Sequence, residues 1–289
     1  MKHCPLIVSA GIFLLAATGM QAETKVTVDH NVSGDATAAF IFDTVARPSA
    51  NDAAASARFL VVAGREDSNS GGVDKLNDGR LPEEADQPSD NFFFQAGTDG
   101  GRLQMDLGTN INIRQINTYS WHPGSRGPQV YKLYAADGAA DDFNATPKAG
   151  TSPDQCGWKL IANVNTTSKS EEDGGQYGVS IANSDGNLGQ YRYLLFDISA
   201  AEHDDAFGNT FYSEIDVIDA SAPVVQHVAT APEAFVFKTT DGKCTITLDT
   251  SKAPGLENWA TNQLAPVLAA WYPKITALLP SPDYAAPTY

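Results

Sequence analysis

The chain has 289 residues, 42% of them hydrophobic, enough for one or two domains with cores of their own. Against 19 Lys and Arg stand 35 Asp and Glu, a formal net charge of -16. Such a surface repels phosphate backbones and anionic lipid heads, so nucleic acid and membrane surfaces are poor partners for it.

Lys2 and His3 precede an apolar run from Leu6 to Ala17, and Met20, Gln21 and Ala22 end on a small residue. This is the pattern of a secretory signal peptide over residues 1–22. The run is short for a transmembrane helix, and Cys4 lies at its start, which argues against a lipid anchor. The mature chain is expected to be exported, periplasmic or extracellular, without membrane insertion. Export leaves Cys156 and Cys244. In an oxidising compartment these either form a disulfide tying the two halves together or remain two unrelated buried thiols.

The next segments read as short strands. Val26 and Val28 alternate with polar residues, and Phe40–Phe42 is a second apolar strand. Ala53–Leu60 is alanine-rich, a short helix or turn before Leu60–Ala63. Residues 64–91 are loop-like, with a tight turn at Asn77–Gly79, and Phe92–Phe94 enters the core. Leu103, Met105 and Leu107 alternate with Arg102, Gln104 and Asp106, the period of a strand with one face buried. Ile111, Ile113 and Ile116 begin another apolar run, and Val130–Tyr134 is a further strand closed by Asp137-Gly138. A polar loop over 135–155 is too long to be featureless in a compact domain. Strands follow at Trp158–Val164, Val179–Ile181, Tyr191–Ile198 and Ser213–Ile218, with a mobile acidic excursion expected over 165–178. Many short strands with Gly- and Asp-rich turns, and almost no helical period, predict a mainly β fold, an antiparallel sandwich.

Four of these motifs in this order resemble the discoidin family, also called coagulation factor 5/8 type C or family-32 carbohydrate-binding domains. They are Asn77–Gly79, the alternating stretch Gly100–Gly108, Tyr191–Phe196 and Ser213–Ile218. The resemblance covers about residues 30–219. It implies an eight-stranded galactose-binding-like jelly roll and a secreted module that binds carbohydrate or a cell-surface glycan. It also implies a structural calcium ion, held by the side chains of Asp78 and Glu214 and by backbone carbonyls near Lys75 and Ser213. Oxygen ligands suit such a hard cation. The bland alternative is that Asp78 only caps a turn and Glu214 faces solvent.

Trp121, His122 and Arg126 lie in the most unusual polar run, between two predicted strands where a binding loop belongs. His122 and Arg126 resemble the sugar-hydroxyl donors of galactose-binding modules. Tyr212, with Phe211, is the candidate stacking face. Alternatively, Trp121 is core and Arg126 pairs with a carboxylate.

Composition changes near residue 220, with a linker expected over 220–234. A hairpin follows at Phe235–Phe237 and Cys244–Leu248 around Asp241-Gly242. Leu256, Trp259, Gln263, Val267 and Trp271 then recur at helical spacing, with Pro266 expected to kink the helix and Pro273 to open a new segment at Ile275. Residues 235–289, most clearly Thr245–Tyr289, resemble the first part of the basic secretory protein family of zinc peptidases. The matching residues include Ala253-Pro254, Trp259, Trp271–Ile275 and Leu278–Pro280. That family's catalytic helix carries His-Glu-x-x-His, and none of His3, His30, His122, His203 and His227 has this spacing. The resemblance therefore implies a peptidase domain cut short, with zinc entering only in a full-length enzyme. No Gly-x-Ser-x-Gly, P-loop or dinucleotide fingerprint is present, and no catalytic residues are assigned. The sequence reading is a non-catalytic binding module that targets an attached hydrolase. Its alternatives are a fragment of a zinc peptidase and a structural or adhesion module.

Overall fold

The structure is a computed structural model, and it describes residues 23–168, 174–204, 206–221, 235–250 and 260–278. The signal peptide, residues 222–234 of the linker, and the tail residues Ala253-Pro254, Leu256, Trp259 and 279–289 lie outside the described residues. So do residues 169–173 of the acidic excursion. The chain divides into two units, 1–221 and 222–289.

In the first unit, eight strands form antiparallel ladders. They are β1 (Thr24–Val32), β2 (Arg58–Ala63), β3 (Gly101–His122), β4 (Val130–Ala136), β5 (Lys159–Asn165), β6 (Gly175–Asn183), β7 (Gly189–Ile198) and β8 (Tyr212–Asp219). The 22-residue β3 belongs to both layers. Its first half pairs with β2 and β7, and through β7 with β4 and β5. Its second half pairs with β6, β1 beyond it, and with β8. The register with β7 shifts between Asp106 and Ile111, where Gly108 to Asn110 are exposed. An eight-stranded antiparallel sandwich, mainly β, is therefore the architecture, as the alternating patterns imply.

The inward residues of both layers make one core around Phe92, Phe94, Leu103, Met105, Ile113, Ile116, Leu133, Val179, Leu194, Phe196, Ile215 and Val217. At about 25 cal/mol per Å² of apolar area removed from water, this burial is the main stabilising term. The expected strand at Phe40–Phe42 is absent. That segment is a loop whose Phe42 packs with Val45 and Tyr119 in a small separate cluster. The alanine-rich stretch is a short 3-10 helix, Ala53–Ser56, whose Asp52 carboxylate caps Ala54 N–H.

The long polar loop after β4 is pinned from beneath. Arg102 is buried, pairs with Asp197 at 2.9 Å, and donates from Nη1 to the carbonyls of Pro147, Lys148 and Thr151. Trp158 packs there with Phe143, Tyr193 and the buried Cys156.

In the second unit, β9 (Phe235–Lys238) pairs with β10 (Thr245–Leu248) as the expected hairpin. A π-helical turn, Ala260–Leu264, leads into α1 (Ala265–Leu278). Pro266, expected to kink the helix, is the second residue of α1, immediately after the π-helical turn. Pro273 lies inside α1 and does not begin a new segment. Cys244 is half-buried in this unit, and both it and Cys156 are free thiols in the structure. Among the described residues no helix is long and apolar enough to cross a membrane.

Candidate functional site

Two polar clusters flank the entry of β8. The first gathers residues from three segments. Phe92 and Tyr212 pair through reciprocal backbone hydrogen bonds of 2.8 and 2.9 Å. Because side chains alternate along an extended chain, this pairing sends Phe92, Phe94 and Tyr212 into the core. It sends Phe93 and Phe211 to the opposite side, where their rings stack at 4.2 Å. The guanidinium of Arg126 lies over this pair, 3.9 Å from the Phe211 centroid and 4.7 Å from that of Phe93. Its Nε donates to the carbonyl of Asn209 at 3.0 Å. Arg126 is thus held by π faces and a carbonyl, and Asp67 feels its charge.

His122, the last residue of β3, meets the edge of Phe211 at 4.9 Å. Its Nδ1 accepts from the N–H of Gly124 at 3.0 Å. That assigns the proton of the neutral ring to Nε2. Burial, then the charge of Arg126, holds the imidazole pKa below its ordinary 6.5, so the neutral ring is favoured. Nε2 points to Asp86 Oδ1 at 3.9 Å, and Asp86 itself is 64% exposed. The pair is a donor and an acceptor separated by more than one hydrogen bond.

Two residues expected here are placed elsewhere. Trp121 is 4% exposed and Tyr212 is 3% exposed, so neither offers a ring to solvent. Of the two readings of Trp121, the core one describes its placement. The exposed aromatic on the loop before β8 is Phe207, at 57%, two residues from the Asn209 that holds Arg126. Asp86, Phe207 and Asn209 escaped the sequence reading, and Phe93 was read only as core with Phe92 and Phe94, because each lies far from the Trp121–Arg126 run in sequence or on a loop without a pattern.

The second cluster surrounds Glu214 on β8. Glu214 is fully buried; Oε2 accepts from Gly79 N–H at 2.9 Å, while Oε1 is buried and meets no donor. Gly79 has φ +74°, and a Cβ there would come within 2.5 Å of Ala50 N, so only glycine brings the Asp78 turn this close. Burial, then Asp216 with Asp78 and Asp52 behind it, pushes the Glu214 carboxyl up to about 9. Asp216 is also raised, by burial and by the neighbouring Asp52 carboxyl. Burial likewise raises Asp52, whose Oδ2 is buried without a donor. The alternative that Glu214 faces solvent is excluded by its burial. Asp78 is bound by Lys75 Nζ at 3.4 Å and caps Arg80 N–H. Ser213 falls in a bulge, without a register partner on β3.

The residues expected to hold a cation are Asp78 and Glu214 with backbone carbonyls near Lys75 and Ser213, and of these oxygens the buried Oε1 of Glu214 lacks a donor. Among the described residues no three His, Cys, Asp or Glu side chains converge to hold a metal. Such an ion would therefore draw on backbone oxygens, with Lys75 and Ser213 contributing carbonyls beside the carboxylates of Asp78 and Glu214.

No family model and no curated relative matches the chain. Solved structures similar to it include SpGH29, at 12% identity and a TM-score of 0.36, covering 58% of this chain and 28% of that one. The chain therefore spans less than a third of that protein. The family 32 carbohydrate-binding module of C. perfringens NanJ in complex with galactose is similar at 12% identity and TM-score 0.34, covering 56% of this chain and 91% of that one. A mutant of the lectin-binding domain of lectinolysin complexed with Lewis b is similar at 10% identity and TM-score 0.39, covering 60% and 98%.

Proposed function

We propose that the sandwich is the non-catalytic carbohydrate-binding module of a secreted protein, seating an uncharged sugar on the rim formed by His122, Asp86 and Arg126. The observation that carries the reading is the 3.9 Å gap between His122 Nε2 and Asp86 Oδ1. A sugar hydroxyl in that gap accepts from the imidazole and donates to the carboxylate, using both of its roles at once. Arg126 stands beside it on a rigid aromatic support, and Phe207 supplies an apolar face for a pyranose ring. Acids around the rim and a net charge of -16 favour neutral glycans over uronic or sialic acids. Held near a glycan surface, such a module raises the local concentration of an attached hydrolase. A structural calcium ion between the Asp78 turn and Glu214 ties a loop to the last strand and takes no part in chemistry. No feature of the described residues favours the peptidase reading, and the stretch from Thr245 to Tyr289 offers zinc no imidazole.

The test is a glycan array followed by titration calorimetry with the best neutral sugar. His122→Ala, Asp86→Ala and Arg126→Ala should each weaken binding about tenfold or more, the scale of one lost hydrogen bond to a polar or charged group. A wild-type chain inert across the array overturns the reading, and the adhesion alternative then takes its place.

A further inference from the structure

The loop that carries Arg126 is held by a one-way chain of buried hydrogen bonds running through the core. Tyr131 OH lies 2.9 Å from Thr118 Oγ1, which donates to Gln129 Oε1 at 2.5 Å. Gln129 Nε2 donates to the backbone carbonyl of Thr118 at 3.3 Å and to Ser120 Oγ at 3.1 Å. Ser120 Oγ in turn donates to the carbonyl of Gly127 at 2.6 Å. The direction is fixed, because the carbonyl of Thr118 can only accept and so determines which end of the Gln129 amide is NH2. Thr118, Ser120, Gln129 and Tyr131 are all buried. Every polar atom of the Gln129 amide is used, so the chain is rigid as well as satisfied.

The same loop is gripped from its other side. Thr210 Oγ1 donates to the carbonyl of Pro128 at 2.5 Å, and Phe211 N–H to that of Arg126 at 3.0 Å. Three consecutive carbonyls, those of Arg126, Gly127 and Pro128, are therefore fixed by donors from two different segments. Only the middle one depends on the buried chain through Ser120.

We propose that Gln129 and Ser120 are positioning residues for the binding site, holding the 123–128 loop so that Arg126 stays on Phe211 with its Nε on Asn209. Neither residue touches the rim itself. The ligand half of this inference rests on the carbohydrate reading; the geometric half does not.

The experiment uses the full chain and two variants. Ser120→Ala removes the hydroxyl that ends the chain. Thr118→Ser trims a buried methyl but keeps the hydroxyl, so it controls for lost stability. Hydrogen exchange of the Arg126 Nε–H is read by NMR, and affinity for the best neutral monosaccharide by calorimetry. Ser120→Ala should speed that exchange about tenfold and weaken the sugar about tenfold, with no further weakening in an Arg126→Ala background. Thr118→Ser should leave both at the wild-type value even if it melts earlier. Unchanged exchange and affinity in Ser120→Ala, with only a lower melting temperature, overturn the inference. If the wild type binds no sugar, the carbohydrate reading fails; Arg126 Nε–H exchange alone then decides the positioning role, faster exchange upholding it and unchanged exchange overturning it.

Discussion

Glu214→Gln should stabilise the cation-free protein at neutral pH. The side chain is fully buried, and its carboxyl is raised from an ordinary 4.5 to about 9. Between those values the folded state keeps a proton that the unfolded state releases. Stability from this group is therefore complete below pH 4.5 and is lost as pH rises through about 9. At pH 7, about 2.5 units above the unfolded value, the loss is roughly 3 kcal/mol at 1.36 kcal/mol per unit. For a unit of this size that is about 6–12 °C in melting temperature. Gln has the same shape, keeps an oxygen for Gly79 N–H, and carries no charge to bury. Thermal unfolding by circular dichroism, in chelator, should show the wild type losing stability from pH 5 to 7.5. Glu214→Gln should lose much less, and only through Asp52 and Asp216. Added calcium should restore the wild type at pH 7.5 by mass action on the folded state and leave the variant unchanged. Parallel pH profiles for the two proteins would refute the reasoning.

Trp121→Ala should cost about 3–5 kcal/mol in urea unfolding, because it empties a large buried volume at the end of β3; wild-type stability would place the ring outside the core. Sugar affinity should be flat from pH 8 to 6.5 and fall only below that, since the lowered pKa of His122 keeps the ring neutral and protonation would set Nδ1–H against the Gly124 N–H. Calorimetry across that range checks it, and affinity that rises on acidification contradicts it. Arg102→Leu should leave the carbonyls of Pro147, Lys148 and Thr151 and the carboxylate of Asp197 without their donor, at a cost of about 3 kcal/mol. Limited proteolysis should then cut within 137–157, and resistance there equal to the wild type would count against the pin.

The strands were legible because period two is a property of neighbouring residues. Leu103, Met105 and Leu107 announce β3 before any partner is known. Its continuity with the run after Ile111 was not legible, because Gly108 to Asn110 look like a turn, and the strand continues across them because β7 pairs on both sides, at Asp106 with Tyr193 and at Ile111 with Tyr191. The site was legible in part for the same reason. His122 and Arg126 stand out as a polar run between strands. The stacking face expected at Tyr212 with Phe211 was not legible, because both rings are buried and their directions are set by the pairing of Phe92 with Tyr212, a contact 120 positions apart. Pro273 inside α1 shows the opposite case, where a strong local signal gave way to the continuing helix.

The two clusters share β8, and a coupling between them is testable. Phe211, Tyr212, Ser213 and Glu214 are consecutive: the first supports Arg126 and the last faces the Asp78 turn. Ser213 Oγ donates to Asn91 Oδ1 at 2.8 Å, and Asn91 Nδ2 donates to the carbonyl of Gln87, next to Asp86. A cation held at Ser213 and Glu214 would therefore steady both the Arg126 support and the segment bearing Asp86. Calcium should raise sugar affinity by some factor, and sugar must raise calcium affinity by the same factor, because the coupling free energy belongs to the pair of sites. The factor is bounded by the rigidity already present. With the 126–128 carbonyls pinned from both sides, only the mobility of Asp86 remains to be removed, worth about 1 kcal/mol or roughly fivefold. Calorimetric titration of each ligand in the presence and absence of the other measures it. Equal affinities in all four titrations would show that β8 does not transmit the cation's hold, and that the shared strand is adjacency alone.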